Sequence, residues 1–348
     1  MSARRWLVPL GWHAGIQAAE LVAAGRALPV LGGGFAVSAF TLRRAAGEGP
    51  EVLDPAAAAA RHPEEIAALA RPRAAPFDRP RIAGVLNLTP DSFSGDGLAG
   101  ARDAALARAR EMVAAGADWV EVGGESVRPG AEAVPVEEEL ARILPVLEAL
   151  SAERIPFAVE TRRAVVMRRA LELGAAMLND SSGFTFDPEA ASVAASSGAV
   201  LVVTHSRGDP ATMNRAPFYR DVVAEVLDEL DVRIRRLLDL GAREERVLAD
   251  PGFCFAKKEP HDLELLRRLP ALHGLGQPLY VGLSRKGLTR ALEAVRPPAA
   301  RLPASLAAAF HALWCGARLL RVHDVAETRQ VVELFTALCG EAPAPQPL

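Results

Sequence analysis

Cysteine is scarce in this chain. Cys254, Cys315 and Cys339 are its three cysteines in 348 residues. An odd, widely spaced set supplies neither a disulfide framework nor paired metal ligands, and it predicts a reducing, cytoplasmic setting. Long apolar runs are missing as well. None approaches the ~18–20 residues that span a bilayer, so a soluble protein without a membrane partner is expected. Arg4 and Arg5 ahead of Trp6–Leu10 hint at an export signal, but the apolar stretch is short and no cleavage site precedes Trp12 and His13. Charge of one sign is not in excess either. Forty basic residues face 43 acidic ones for a net charge of −3, which removes the footprint of a nucleic-acid binder. Any anion this protein holds must be caught by a local cluster. Finally, no Gly-x-Gly-x-x-Gly opens a helix after a first strand, which counts against a dinucleotide fold.

Half of the residues are apolar and 24% are charged, a globular composition. The length suits one large α/β barrel with a small appendage, or two ordinary domains. Residues 1–80 read differently from the rest. The pattern predicts a helix over 14–28, a strand over 35–42 and an alanine-rich helix over 54–70. A linker is expected over 71–80, where three prolines deny the backbone regular hydrogen bonding. The division expected is an N-terminal α/β extension of unknown role over 1–75 and a barrel over 76–342.

From Arg81 a rhythm sets in. Short β-branched or apolar runs fall at 82–86, 118–122, 155–160, 175–179, 199–204, 246–249, 278–283 and 317–322, with amphipathic helical patterns between them. Gly116, Gly174, Gly198, Gly241 and Gly316 each precede an alanine between helix and strand, where glycine fits the left-handed turn past a helix end. Eight strands alternating with helices predict a (β/α)8 TIM barrel, with an open doubly wound sheet as the alternative.

Barrel active sites lie at the C-terminal ends of the strands. Here every predicted strand ends in polar groups: Asn87, Glu121 through Gly130, Glu160-Thr161, Asn179-Asp180, Thr204-His205, Asp250-Pro251-Gly252, Ser284-Arg285-Lys286 and Arg321-Val322-His323-Asp324. The charges sort by sign. Arg285, Lys286, Arg321 and His323 form an anion clamp, which Arg128 can join from the second loop, and alternation puts Arg321 and His323 on one face. Asn87 supplies a neutral oxygen suited to Mg²⁺, a cation that usually takes few protein ligands beside phosphate and water. Glu160, Asn179 and Asp250 suit a flat heterocycle with adjacent N–H donors. The reaction this suggests is loss of a phosphate-type leaving group from a heterocyclic substrate.

Residues 82–94 and the run from Gly116-Ala117-Asp118 to Gly123-Gly124-Glu125-Ser126-Val127-Arg128-Pro129-Gly130 resemble the two signatures of the dihydropteroate synthase family. The later strand ends follow in the family's order, and the resemblance covers about residues 81–340. It implies joining 6-hydroxymethyl-7,8-dihydropterin diphosphate to 4-aminobenzoate, giving 7,8-dihydropteroate and diphosphate in folate synthesis, with Mg²⁺ and commonly as a homodimer. Carried over by position, Asn179, Asp250 and Lys286 would bind the pterin, while Asn87, Arg321 and His323 would hold diphosphate, Asn87 also ligating Mg²⁺. Arg128, Ser284 and Phe255 would border the aminobenzoate. The alternatives are a pterin-binding paralogue with another acceptor or little activity, and a folate-dependent methyltransferase-like domain.

Five positions, in four places, depart from the family's pattern. Glu160 stands for the usual aspartate, Val127 for a threonine of the second loop, Thr204 for the methionine before His205, and Cys254 and Ala256 for glycines. All lie beside the expected substrates. Several other residues have plainer readings: His205 as a structural histidine, Cys254 as a small core residue, Asp180 as a helix cap, Glu125 as an organiser of its loop, and Arg233, Arg235 and Arg236 as one solvated helix face.

Overall fold

The computed structural model describes residues 6–43, 51–89, 102–127, 130–213, 215, 217–288 and 296–339. The N-terminal part opens with β1 (Trp6–Pro9), β2 (Trp12–Ala14), α1 (Gly15–Ala23), β3 (Leu28–Val30), β4 (Phe35–Val37), β5 (Phe40–Arg43) and β6 (Glu51–Leu53). These strands form two small antiparallel sheets, β1-β5-β6 and β2-β4-β3. The single strand expected over 35–42 is therefore two strands, one in each sheet. The chain changes sheets at Ser38, whose N–H donates to the Gly11 carbonyl at 2.8 Å and whose hydroxyl lies 2.8 Å from His13 Nε2. The helix expected over 54–70 is also two, α2 (Pro55–Arg61) and α3 (Pro63–Ala70). Pro63 lacks an N–H and denies His62 a helical backbone, so His62 sits at φ −136°, ψ 53°.

The barrel strands are β7 (Arg81–Asn87), β8 (Trp119–Gly123), β9 (Phe157–Glu160), β10 (Met177–Asp180), β11 (Val200–Thr204), β12 (Val247–Asp250), β13 (Tyr280–Val281) and β14 (Leu319–Val322). Each falls on a run anticipated from the sequence. They make one 8-stranded parallel sheet, and a bridge between Ala249 and Leu279 joins its two edges. The helices that follow the strands in turn are α4 (Arg102–Ala114), α5 (Val136–Ala152), α6 (Ala164–Glu172), α7 (Ala190–Ser196), α8 (Val222–Asp239), α9 (Glu259–Arg267), α10 (Leu302–Trp314) and α11 (Val325–Leu338). This is the (β/α)8 barrel. The five expected helix-ending glycines all take positive φ, from 69° to 97°.

Helix α8 shows why these segments fold as they do. Asp221 caps it, its carboxylate accepting from the Val223 and Ala224 amides. Val223, Val226, Leu227, Leu230, Ile234 and Leu237 recur at helical spacing and are buried, each contributing about 1.5–3 kcal/mol of burial. The helix stops at Gly241. Among the described residues no helix is long and apolar enough to cross a membrane.

The N-terminal part shares its apolar core with the barrel, since Trp6, Leu7, Val8 and Phe35 join one buried cluster with barrel residues. The Trp6 indole donates to Asp228 of α8 at 2.7 Å, and the Trp12 indole donates to the Trp314 carbonyl at 2.8 Å. The proline-rich stretch is not a free spacer. Phe77 is fully buried, stacking 6.1 Å from Trp119 at the N-terminal end of the barrel, and Arg73 is buried with a hydrogen bond to the Gly276 carbonyl. Prolines removed regular hydrogen bonding here without removing side chains that bury well.

Candidate active site

Side chains alternate along each strand, so the barrel interior fills in layers. The lower layer is apolar and packs as one cluster: Ala83, Trp119, Ala158, Met177, Val202, Leu248, Tyr280 and Leu319. Two residues further along the same strands stand Val85, Glu121, Glu160, Asn179, Thr204, Asp250, Gly282 and Arg321. Within one step of the pleat six of the eight strands thus switch to a polar side chain, four of them ionisable. A third step reaches Asn87, Gly123, Ser284 and His323 at the mouth.

The middle layer is one hydrogen-bonded network. Arg321 lies between two carboxylates, its Nε donating to Glu121 and its Nη2 donating to Glu160 Oε2 at 2.6 Å. The Tyr280 hydroxyl donates to Glu121 Oε2 at 2.7 Å, and the Asn179 amide donates to that hydroxyl at 3.1 Å. The Thr204 hydroxyl lies 3.2 Å from Asn179 Oδ1 and 3.3 Å from Asp250 Oδ2, donating to one at a time. Asp250 Oδ1 accepts from the Gly252 amide at 2.8 Å. Lys286 donates to the Phe253 carbonyl at 2.7 Å, with its ammonium 5.0 Å from the centre of the Phe255 ring. Gly282 lies beside both cations, since a Cβ there would stand in ordinary contact, 3.5 Å from Arg321 Cδ and 4.0 Å from Lys286 Nζ.

Burial governs the acids. It pushes Glu160 up to about 7, against the attraction of Arg321 and with the repulsion of Glu121. Burial also raises Asp250, opposed by Lys286. Tyr280 is held protonated by burial and by the neighbouring Glu121. Arg321 stays charged, because Glu160 and Glu121 together outweigh its own desolvation.

On the second-loop side, Val127, Arg162, Ser182, Ser206, Met213 and Phe255 line one pocket. Arg128 lies outside the described residues. Glu125 organises its loop as anticipated: buried, it accepts from Arg162 at 2.9 Å, from Arg163 at 2.9 Å and from the Val134 amide at 3.3 Å.

A family model described as pterin binding enzyme matches residues 83–323. The chain belongs to this pterin-binding family. It is 40% identical over 261 residues to the dihydropteroate synthase of Synechocystis sp., covering 75% of this chain and 90% of that protein. The dihydropteroate synthase structure from Burkholderia cenocepacia, complexed with 7,8-dihydropteroate, superposes with a TM-score of 0.69 at 40% identity, over 76% of this chain and 93% of that one. The Xanthomonas albilineans dihydropteroate synthase with 4-aminobenzoic acid gives a TM-score of 0.70 at 43% identity, over 75% and 94% of the two chains.

Within this pterin-binding barrel several expectations need correction. The charges are not sorted by sign, because Arg321 sits among the acids. Arg285 is turned away from the clamp and grips Asp324 through two hydrogen bonds, of 2.6 and 3.1 Å. Ser284 stands beside His323, its hydroxyl 3.0 Å from His323 Nδ1. Asp180 caps no helix; it is fully buried and its Oδ1 accepts from the Ser182 amide at 2.7 Å. Arg233 is no solvated residue, since it donates to the Thr204 carbonyl at 3.0 Å and the Ser206 carbonyl at 2.7 Å, tying α8 to the end of β11. Cys254 is half-buried instead of core, at φ 68°, and Ala256 follows at φ 51°.

His205 is structural, as expected. It is fully buried, with burial and the nearby Lys257 lowering it to about 3. Lys257 was not anticipated at all. Its ammonium lies 2.8 Å from His205 Nδ1 and donates to the Gly252 and Phe255 carbonyls at 3.0 and 3.1 Å, so it pins the loop that carries Phe253 and Phe255. Glu121 and Tyr280 were also missed as site residues. Alternation in step with Asn179 and Asp250 was the available signal for Glu121.

Proposed function

We propose that the chain is a dihydropteroate synthase. It joins 6-hydroxymethyl-7,8-dihydropterin diphosphate to 4-aminobenzoate, giving 7,8-dihydropteroate and diphosphate. The observation that carries this reading is the middle barrel layer, where Asn179, Asp250 and Lys286 stand together below a mouth lined by Asn87, Ser284 and His323. Family membership and the resemblance of the motifs support it.

In this reading Asp250 receives the pterin's adjacent N–H donors, and Asn179 meets a neighbouring ring edge. Lys286 lies across the ring between the Phe253 carbonyl and Phe255. The C–O bond at the pterin's exocyclic carbon breaks with its electron pair going to diphosphate. Arg321 and His323 stabilise that growing charge. To do so Arg321 exchanges Glu160 for phosphate oxygens, while Glu121 keeps its side chain in the barrel. The aminobenzoate nitrogen, held in the pocket of Val127 and Phe255, then bonds to the carbon and gives up one proton to the departing diphosphate or to water. Its positioning, beside a wall that excludes water, supplies most of what the amine needs.

Mg²⁺ fits this site as a companion of the diphosphate. Among the described residues no group of three histidine, cysteine or acidic side chains could hold a metal. Asn87 offers a single amide oxygen, near Glu160 across Gly123. When bound, the ion would neutralise leaving-group charge. A homodimer belongs to the same reading, supported by Leu334 and Leu338 exposed on α11.

Calorimetric titration separates the readings. Pterin diphosphate with Mg²⁺ is expected to bind, and 4-aminobenzoate to bind more tightly once diphosphate and a pterin are present. Binding of a methylated folate with no response to the pterin diphosphate would favour the methyltransferase-like alternative and overturn the synthase.

A further inference from the structure

Tyr280 belongs to the apolar lower layer, yet its hydroxyl reaches into the polar layer above. Both the ring and the hydroxyl are buried, at 0% exposure. That hydroxyl is bonded to both sides of the network. It donates to Glu121 Oε2 at 2.7 Å and accepts from Asn179 Nδ2 at 3.1 Å.

An amide side chain has a donor end and an acceptor end, and its partners decide which way it faces. Asn179 Nδ2 faces Tyr280 and the Glu121 oxygens, the latter at 3.3 Å, which leaves Oδ1 toward Thr204. The hydroxyl contact is the shortest of the three, so Tyr280 shares that amide with the Glu121 carboxylate. Glu121 in turn is a hydrogen-bond acceptor of Arg321. One hydroxyl therefore contacts both a proposed pterin reader and the carboxylate that seats a proposed diphosphate ligand, and helps fix the orientation of each.

We infer that Tyr280 is a positioning residue for the pterin, presenting Asn179 and Glu121 from beneath the ring without touching it. This rests on the synthase reading of the same site. Tyr280→Phe keeps the ring and removes the hydroxyl. It is expected to weaken binding of pterin diphosphate about tenfold, the scale of one hydrogen bond to a charged group. The rise should appear in KM for the pterin and in its Kd, with KM for 4-aminobenzoate unchanged within about twofold. In an Asn179→Ala background the same change should add less than about threefold, because one of the two groups it orients is gone and only its contact with Glu121 remains. An unaltered pterin Kd in a folded Tyr280→Phe protein would overturn the inference, as would equal rises for both substrates. If Tyr280→Phe does not fold, Glu121→Gln is expected to raise the pterin Kd in the same selective way, and an unchanged Kd there overturns the inference. The Kd comparison does not need turnover. A wild-type protein that binds the pterin but releases no diphosphate contradicts the synthase reading separately.

Discussion

Glu160 is one methylene longer than the aspartate usual in the family, and that length reaches Arg321 at 2.6 Å. The ion pair holds Arg321 on the acid side of the site, so in the proposed reading diphosphate competes with Glu160 for it. Glu160→Asp is expected to break this pair and lower KM for pterin diphosphate severalfold, read by steady-state kinetics. A raised KM would show that Glu160 itself holds the ring. Ala256 makes a second residue-scale case. A left-handed backbone costs a residue with a Cβ about 1–2 kcal/mol, and Ala256 bears that cost at φ 51°. Ala256→Gly should therefore stabilise the protein by about 1 kcal/mol in urea denaturation, the reverse of the usual effect of alanine-to-glycine changes.

At the scale of elements, α8 does more than cover the sheet. Through Arg233 it ties down the Thr204 and Ser206 carbonyls, at the end of the strand that carries Thr204 and His205. Arg233→Ala should cost about 2 kcal/mol in denaturant unfolding, since it leaves buried carbonyls without donors. Arg235→Ala, two residues on and largely exposed, should stay within about 0.5 kcal/mol. The contrast also shows what the sequence could convey. Period-two alternation and strand-end polarity are local, so the amino-acid order alone brings Glu160, Asn179, Asp250 and Arg321 to one end of the barrel. Which face of α8 a given arginine occupies was readable in principle, but whether carbonyls wait there depends on packing against a strand end. Pairings such as Tyr280 with Glu121, 159 positions apart, exist only once the barrel closes. In the N-terminal part the strands are only three or four residues long, too short for periodicity to announce them.

For the whole molecule, the N-terminal part is bound to the barrel by the buried Trp6 and the partly buried Trp12. Trp6→Ala should cost about 3–5 kcal/mol, measured as a fall in the midpoint of cooperative unfolding. Acid response is also a whole-molecule property. His205 and His273, both lowered to about 3 chiefly by burial, bind protons more readily unfolded, so they withdraw stability as pH falls from 6.5 toward 3. Glu160, raised to about 7, and Asp180, raised to about 6, act oppositely, adding stability as pH falls through those values toward the ordinary carboxylate range. The two effects offset near pH 5, and the net loss falls below about pH 4, where Glu229, lowered to about 2 by its His205 and Arg207 partners against its own burial, joins the histidines. Unfolding free energies across pH 3 to 7 check this, and His205→Gln should flatten the acid limb.

The central claim concerns chemistry at the polar layer, and one measurement meets it directly. The purified full chain is mixed with 6-hydroxymethyl-7,8-dihydropterin diphosphate, 4-aminobenzoate and Mg²⁺, and both products are quantified. The expected result is 7,8-dihydropteroate and diphosphate in equal amounts, with the rate falling at least about 100-fold in Lys286→Ala. No diphosphate release from the intact protein, or release without dihydropteroate, would contradict the account.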